Sequence, residues 1–254
     1  MIFQNGAASI HYEVAGAGFP LLLSHGVIES SDSWAEVVPA LAEHFRVVVH
    51  DARGRGRSGF GGVAFSYPEL AEDVEALARH LDLGPILHAG HSMGGRVALE
   101  HALTHPGRVR ALAVVSARAE APDEAGRSRL RELAGRTRAE GTGVAVEMWA
   151  RPGEPAHERA RTVSLANPLD GTLAAFDALI AMESLLPRLG AVRAPTLVIA
   201  GDGDHAYVDS AKAMVAAIPG SRLTLIEGVG HFPNLEAPDR LARALIGFFG
   251  SLRA

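Results

Sequence analysis

The chain has 254 residues, a formal net charge of −5 at pH 7 and no cysteine. A chain of this length can bury a large core within one domain. The weak negative charge offers no electrostatic surface for nucleic acid, so we expect no nucleic-acid partner. The lack of cysteine excludes disulfides, thiolate metal sites and a cysteine nucleophile.

The N-terminal residues show no secretion signal, and no apolar run reaches the roughly 18 residues of a transmembrane helix. We therefore expect a soluble, cytoplasmic protein without a membrane partner. The first half of the chain alternates between strand and helix patterns. Strands are predicted at residues 9–14, 20–23, 46–50, 85–89 and 109–115, with the first at a sheet edge. Helices are predicted at residues 33–42, capped by Ser33, and at 67–81 and 96–103.

Residues 118–192 lack a convincing strand, and helical runs occur near 127–140, 144–150 and 173–186. Strand and helix then alternate again, with strands at 195–200 and 223–226 and helices at 209–218 and 238–249. Such alternation predicts an α/β fold with a mostly parallel central sheet and helices on both faces. We divide the chain into an α/β core (1–117 and 193–254) and a short helical cap insertion (118–192).

Residues 90–95 read Gly-His-Ser-Met-Gly-Gly and join a predicted strand to a predicted helix. A sharp turn of this kind holds its serine in a strained backbone conformation and presses the flanking residues together. Side chains two before and two after the serine must then be very small, as Gly90 and Gly94 are. The pattern predicts a nucleophile elbow with Ser92 as the nucleophile.

An elbow serine needs a base, and in this architecture the partners follow the carboxyl ends of strands. His231 follows the last predicted strand, and a run of aspartates follows the strand before it. The order serine, aspartate, histidine is the one expected for this fold. His231 would take the proton of Ser92, and the aspartate would orient the imidazole. Spacing leaves Asp202, Asp204 and Asp209 open as that aspartate.

The developing negative charge of an acyl-transfer reaction also needs two backbone N–H donors. Met93 follows the nucleophile at a helix start, where unpaired amides and the helix dipole favour an anion. The second donor should come from the loop after the strand at 20–23, which reads His25-Gly26-Val27. We predict an oxyanion hole formed by the amides of Val27 and Met93.

Five motifs occur in one order along the chain: residues 24–26, 51–58, 90–95, 201–204 and 228–232. With them the chain resembles α/β-hydrolase-fold serine hydrolases, in the branch of carboxylesterases, enol-lactonases, cofactor-free haloperoxidases and carbon–carbon bond hydrolases. The resemblance implies that the acid is the last residue of Gly-x-x-Asp, which is Asp204. It also supports Val27 and Met93 as oxyanion donors.

The resemblance implies hydrolysis of a small carboxylic ester or lactone through an acyl-enzyme on Ser92, with no metal or organic cofactor. The alternatives are carbon–carbon cleavage of a dienoic diketone, so that the small-molecule substrate is a ketone, and cofactor-free perhydrolysis or haloperoxidation. A non-catalytic small-molecule receptor of the same fold is a further alternative. Epoxide hydrolases and haloalkane dehalogenases of this fold are excluded, because they need a carboxylate where this chain has Ser92.

The cap should determine the substrate. Its apolar residues either line the pocket or form the cap's own core: Met148, Trp149, Phe176, Leu179, Met182 and Leu185. Residues 147–151 resemble the cap of enol-lactonases, which implies that Trp149 and Arg151 meet a substrate carboxylate. Further substrate contacts are predicted for four residues outside the cap: His25, Trp34, His91 and Phe232.

Two other patterns resemble ligand sites. Residues 54–59 match G-x-G-x-x-G, but no helix begins directly after them, as a dinucleotide fingerprint requires. His101 and His105 lie four apart without the glutamate of H-E-x-x-H or a third ligand. We predict neither nucleotide binding nor a metal site.

Overall fold

A computed structural model describes residues 1–154 and 156–252. These residues form one eight-stranded sheet with the spatial order β1-β2-β4-β3-β5-β6-β7-β8. Its strands are β1 (Ile2–Asn5), β2 (Ala8–Ala15), β3 (Pro20–Ser24), β4 (Arg46–His50), β5 (Ile86–His91), β6 (Val109–Val115), β7 (Thr196–Gly201) and β8 (Arg222–Ile226). At one edge β1 pairs antiparallel with β2, and β2 pairs antiparallel with β4. The other neighbours, from β3 to β8, pair in parallel. The predicted mostly parallel sheet is confirmed.

Helices connect the parallel strands, as parallel pairing requires. They are α1 (Val38–Ala42), α2 (Tyr67–His80), α3 (Met93–Thr104), α4 (Glu124–Glu140), α5 (His157–Leu165), α6 (Leu169–Ala181), α7 (His205–Ala217), α8 (Pro233–Glu236) and α9 (Pro238–Gly250). Short 3₁₀ helices lie at Ser31–Trp34, Thr142–Met148 and Leu186–Ala191. Each described helix is too short or too polar to cross a membrane.

Both faces of the sheet are covered. Every residue of β5 and β7 is buried, and both strands read as continuous apolar-rich segments, as central parallel strands do. Successive side chains of a strand point to opposite faces. Leu22 of β3 accordingly packs in one core with Val74 of α2. Its neighbours Leu21 and Leu23 pack in the opposite core with Leu241 of α9. The sheet is therefore packed against helices on both faces, which fixes the positions of its strand ends.

Two predictions for the first fifty residues are wrong. The strand predicted at the edge is β2. The unpredicted β1 precedes it, pairs along its outer side and is joined to it by a turn at Gly6, where φ is +60°. The predicted helix start at Ser33 is also incorrect. Ser30 caps a 3₁₀ helix by accepting from the Asp32 amide, and the α-helix starts only at Val38, next to Pro39. Short elements that depend on a hairpin or a cap carry little periodic signal.

Between β6 and β7 the described residues contain helices and no strand. The run predicted near 144–150 is the 3₁₀ helix Thr142–Met148, and α6 ends at Ala181 instead of continuing to residue 186. α5 was not predicted, because its short run is more polar than apolar. The division into core and cap stays a prediction.

Candidate active site

The turn between β5 and α3 has Ser92 at its apex, with φ 51° and ψ −113°. A positive φ is strained for a residue with a side chain, and such strain is concentrated at functional turns. A Cβ on Gly90 would overlap the backbone of Gly94, and a Cβ on Gly94 would overlap the carbonyl of Ser24. Both glycines are therefore required for the helix to pack this closely on the strand.

Three side chains from separate strand ends meet beside this turn. Oγ of Ser92 lies 3.1 Å from Nε2 of His231, and Nδ1 of the same ring lies 2.7 Å from Oδ2 of Asp204. A carboxylate only accepts, so Nδ1 carries a proton and Nε2 of the neutral ring can accept from the Ser92 hydroxyl. The arrangement can move the Ser92 proton to an imidazole that Asp204 orients.

The other two candidate aspartates have different partners. Oδ1 of Asp202 accepts from the backbone amide of Gly228 at 2.7 Å, and Asp209 pairs with Lys212 at 3.4 Å. Of the three aspartates that spacing left open, Asp204 is therefore the one in contact with His231.

Burial lowers the pKa of His231 below its ordinary value of 6.5, and the positive charge of His91 lowers it further. The hydrogen bond to Asp204 acts in the opposite direction and raises this pKa without cancelling the effect of burial. The imidazole is therefore neutral at physiological pH, which is the form that can accept a proton.

His91 precedes Ser92, and its two ring nitrogens both face acceptors. Nδ1 lies 2.7 Å from Oε2 of Glu29, and Nε2 lies 2.8 Å from the backbone carbonyl of His231. Both nitrogens must donate, so the ring is an imidazolium. Burial alone would lower the pKa of His91, but the Glu29 carboxylate raises it above 6.5. Burial alone would raise the pKa of Glu29. The positive charge of His91 is the main cause that lowers this pKa instead, to about 2.

The two residues predicted as oxyanion donors lie beside Ser92. Val27 and Met93 line the same small cavity as Ser92, and neither amide donates to an acceptor in the described residues. The loop that carries Val27 is fixed from behind, because the Gly26 amide donates to the carboxylate of Glu29. Val27 and Met93 therefore border the same cavity as Ser92, and their role as oxyanion donors stays a prediction.

The cavity at the site has two parts. The narrow part, of about 40 Å³, is lined by Ser92, and the wide part, of about 250 Å³, is lined by His231. Five residues line both parts: Arg118, Trp149, Leu179, Met182 and Tyr207. The Tyr207 ring centre lies 4.3 Å from that of His231, and its hydroxyl accepts from Nε1 of Trp149 at 3.0 Å. Trp149 stacks near His231 at 6.0 Å between ring centres.

Several predicted substrate contacts lie elsewhere, which corrects those predictions. Trp34 is fully buried in the core on the α9 side of the sheet. Nε2 of His25 accepts from the Ala52 amide, so this ring fastens two loops. Phe232 packs against the ring of His91. Arg151 is exposed and does not line either cavity at Ser92. His91 also has no place on the cavity wall, since its ring nitrogens are engaged behind the site.

Sequence reasoning missed Glu29, Arg118 and Tyr207. Arg118 comes three residues after the end of β6, and Tyr207 lies in the first turn of α7 after β7. Position just beyond a strand's carboxyl end was therefore a usable signal for both. Glu29 had no such signal, because its partner His91 is 62 positions away. The described residues contain no cluster of three or more His, Asp or Glu side chains that could hold a metal ion.

Comparisons with known proteins agree with this architecture. A family model described as alpha/beta hydrolase fold matches residues 20–142. A putative carbamate hydrolase, RutD, from Azorhizobium caulinodans is 30% identical over 264 residues, which cover 98% of each chain. A thermophilic esterase from Thermogutta terrifontis superposes with a TM-score of 0.90 at 29% identity, over 97% of this chain and 95% of that one. The enol-lactonase from Burkholderia xenovorans LB400 superposes with a TM-score of 0.89 at 24% identity, over 98% and 100%, a likeness of fold.

Proposed function

The chain belongs to the alpha/beta hydrolase fold family, and on this basis we propose that it hydrolyses a small carboxylic ester or lactone through an acyl-enzyme on Ser92. One observation carries the proposal. Ser92 and Asp204 contact opposite nitrogens of the His231 ring, at 3.1 and 2.7 Å, beside a cavity that Val27 and Met93 also line.

In the first half of the reaction, Nε2 of His231 takes the Ser92 proton while Oγ attacks the substrate carbonyl carbon. The resulting oxyanion accepts from the Val27 and Met93 amides, whose preorganised dipoles stabilise the charge as it forms. The tetrahedral intermediate collapses, the carbon–oxygen bond of the ester breaks, and His231 donates its proton to the leaving alkoxide. Ser92 is then acylated.

In the second half, His231 takes a proton from water, and the hydroxide attacks the acyl carbon. Collapse of the second tetrahedral intermediate releases the carboxylic acid, and His231 returns the proton to Ser92 Oγ. Asp204 stabilises the imidazolium in both halves. Residues 118–192 act as the cap in this proposal, because Arg118, Trp149 and Met182 from this segment line the cavity. The narrow space at Ser92 suits a small acyl group.

The direct test is covalent labelling. A fluorophosphonate probe should label the protein at Ser92, and p-nitrophenyl acetate should be hydrolysed with a burst of nitrophenol. Ser92→Ala should abolish labelling and turnover, whereas Ser128→Ala, at an exposed serine of α4, should change neither. Absence of labelling, or labelling that persists in Ser92→Ala, would contradict the proposal.

Carbamate hydrolysis is a second candidate, favoured by the 30% identity to a putative carbamate hydrolase over 98% of both chains. The same groups would attack a carbamate carbonyl. Ethyl carbamate and ethyl acetate share their leaving group and differ only in an amino group replacing a methyl group. A larger kcat/KM for ethyl acetate supports the ester hypothesis, and a larger kcat/KM for ethyl carbamate supports the alternative.

A further inference from the structure

Arg118 is a cationic side chain on the wall of the cavity above Ser92. It lines both the narrow and the wide part of that cavity. Its guanidinium carbon lies 4.9 Å from the centre of the Tyr207 ring, a distance at which a cation is attracted to the ring face. Tyr207 in turn contacts His231, so only one aromatic ring separates this positive charge from the proposed base.

Among the described residues the Arg118 charge has no counter-ion. Within residues 1–154 and 156–252, Arg118 makes no ion pair and no hydrogen bond, and the cation–π contact with Tyr207 is what orients it. Asp204 is the one carboxylate on the described walls of the two cavity parts, and it is bound to His231. Arg129 lines only the wide part and likewise makes no ion pair within the described residues. By contrast, Arg96 pairs with Glu100 at 3.2 Å.

Arg118 is an exposed residue that lines the cavity, so its guanidinium is open to an anion that enters there. A planar guanidinium matches a carboxylate with two parallel hydrogen bonds, which a neutral group does not provide. From this we infer that Arg118 binds a carboxylate of the substrate, so that the substrates are esters or lactones carrying a second, anionic carboxyl group. The inference rests on the proposed function for the reaction and specifies its substrate class.

The residues around Arg118 also hold its guanidinium in place. The indole N–H of Trp149 donates to the Tyr207 hydroxyl at 3.0 Å and so holds the ring on which the guanidinium rests. A carboxylate at Arg118 and a carbonyl at Ser92 then occupy two fixed points of one cavity.

The test compares matched anionic and neutral esters. 3-Acetoxybenzoate and its methyl ester place the extra group on the leaving side, and monoethyl glutarate and diethyl glutarate place it on the acyl side. Wild-type protein should prefer the anionic member of at least one pair in kcat/KM. Arg118→Met should reduce that preference by about 10- to 100-fold, the range for a hydrogen-bonded charge pair. Arg118→Lys should keep part of it.

Arg222→Met is the control for net charge, because Arg222 is an exposed residue of β8 away from the cavity. It should leave the preference unchanged. Equal kcat/KM for the anionic and neutral members of both pairs in the wild-type protein would overturn the inference. So would an Arg118→Met protein that retains the wild-type preference.

A binding measurement separates this inference from the proposed reaction. Calorimetry on the Ser92→Ala protein should detect 3-hydroxybenzoate and glutarate, and adding Arg118→Met should remove that binding. Arg118-dependent binding without turnover of any ester refutes the proposed function and keeps the carboxylate site. Ester turnover with no Arg118-dependent binding keeps the function and refutes the carboxylate site.

Discussion

Oε2 of Glu29 lies 2.7 Å from Nδ1 of His91, and both side chains are completely buried. This ion pair connects three segments of the site. Glu29 accepts from the Gly26 amide in the loop before Val27, and His91 donates to the backbone carbonyl of His231. Asn234 also donates to Glu29 at 2.9 Å. A buried pair of this kind fixes geometry, and removing one partner leaves the other charge uncompensated.

Glu29→Gln should change the pH dependence and the stability together. Without the carboxylate His91 loses its second proton. The charge of His91 lowers the pKa of His231 more than the charge of Glu29 raises it, so losing both charges raises this pKa. The acid limb of kcat/KM should therefore move to higher pH. The free energy of unfolding should also fall, by about 1–3 kcal/mol, because the amide cannot accept every hydrogen bond that the buried carboxylate accepts. Urea titration and a pH–rate profile measure both, with exposed Glu43→Gln as the control. An unchanged profile would refute the assigned charge state.

In the wild-type protein, kcat/KM should rise with pH through a midpoint below 6.5. His231 must be neutral to accept the Ser92 proton, and its pKa is lowered chiefly by burial, so activity is lost only when the pH falls below that pKa. The profile for p-nitrophenyl acetate between pH 4 and 9 measures this midpoint. A midpoint above 6.5 would contradict the expected sign.

Asp204→Asn should lower kcat by about 10³- to 10⁴-fold, because the amide no longer holds the tautomer or stabilises the imidazolium. Asp202→Asn and Asp209→Asn are matched controls, since their carboxylates bind Gly228 and Lys212 instead. Steady-state kinetics of the three variants on one ester decides between them. A large loss in either control with little loss in Asp204→Asn would reassign the acid.

A buried row of hydrogen bonds runs from β3 to α2. Ser24 Oγ contacts Nε2 of His50 and of His88, at 3.0 and 2.9 Å. Nδ1 of His88 contacts Nδ1 of His101 at 3.2 Å, and Nε2 of His101 contacts Glu75 at 3.2 Å. Because the Glu75 carboxylate only accepts, His101 must carry its proton on Nε2. It follows that His88 carries its proton on Nδ1, Ser24 donates to His88, and His50 carries its proton on Nε2.

These tautomers are testable by nitrogen-15 NMR of the histidine rings. Burial holds the pKa of His88 well below its ordinary value and lowers that of His101 to about 4 and that of His50 to about 3. All three rings should therefore stay neutral, in the stated tautomers, from pH 6 to 8. The exposed ring of His205 gives the solvent-averaged reference signal. A signal from His88 with its proton on Nε2 would refute the assignment.

Gly94→Ala should destabilise the protein by about 3 kcal/mol, since its Cβ would overlap the carbonyl of Ser24 and force α3 away from β3. Gly247→Ala is the matched substitution in α9, where the new Cβ meets nothing within 4 Å. It should raise stability by about 0.5–1 kcal/mol, because alanine favours a helix interior. Thermal unfolding of both variants measures the contrast. Equal midpoints for the two variants would contradict the close packing of the elbow.

Much of the fold could be predicted because it is encoded locally. A buried parallel strand is a short apolar run, a helix repeats its apolar residues every three or four positions, and an elbow needs glycines at fixed distances from Ser92. These patterns predicted β3 to β8, α2, α3 and the strand ends that carry His231 and Asp204. The same reasoning failed for β1 and for the start of α1, which depend on a hairpin and on a cap at Ser30.

Local sequence patterns establish the order of the elements and the positions of the reactive residue types along them. Which side chains meet depends on how the whole chain folds. Ser92 and His231 are 139 positions apart, and Glu29 and His91 are 62 apart. Such contacts depend on strand register and helix packing across the whole sheet, which no local spacing records. Helix packing across the sheet also places Arg118, but not Arg151, on the cavity wall.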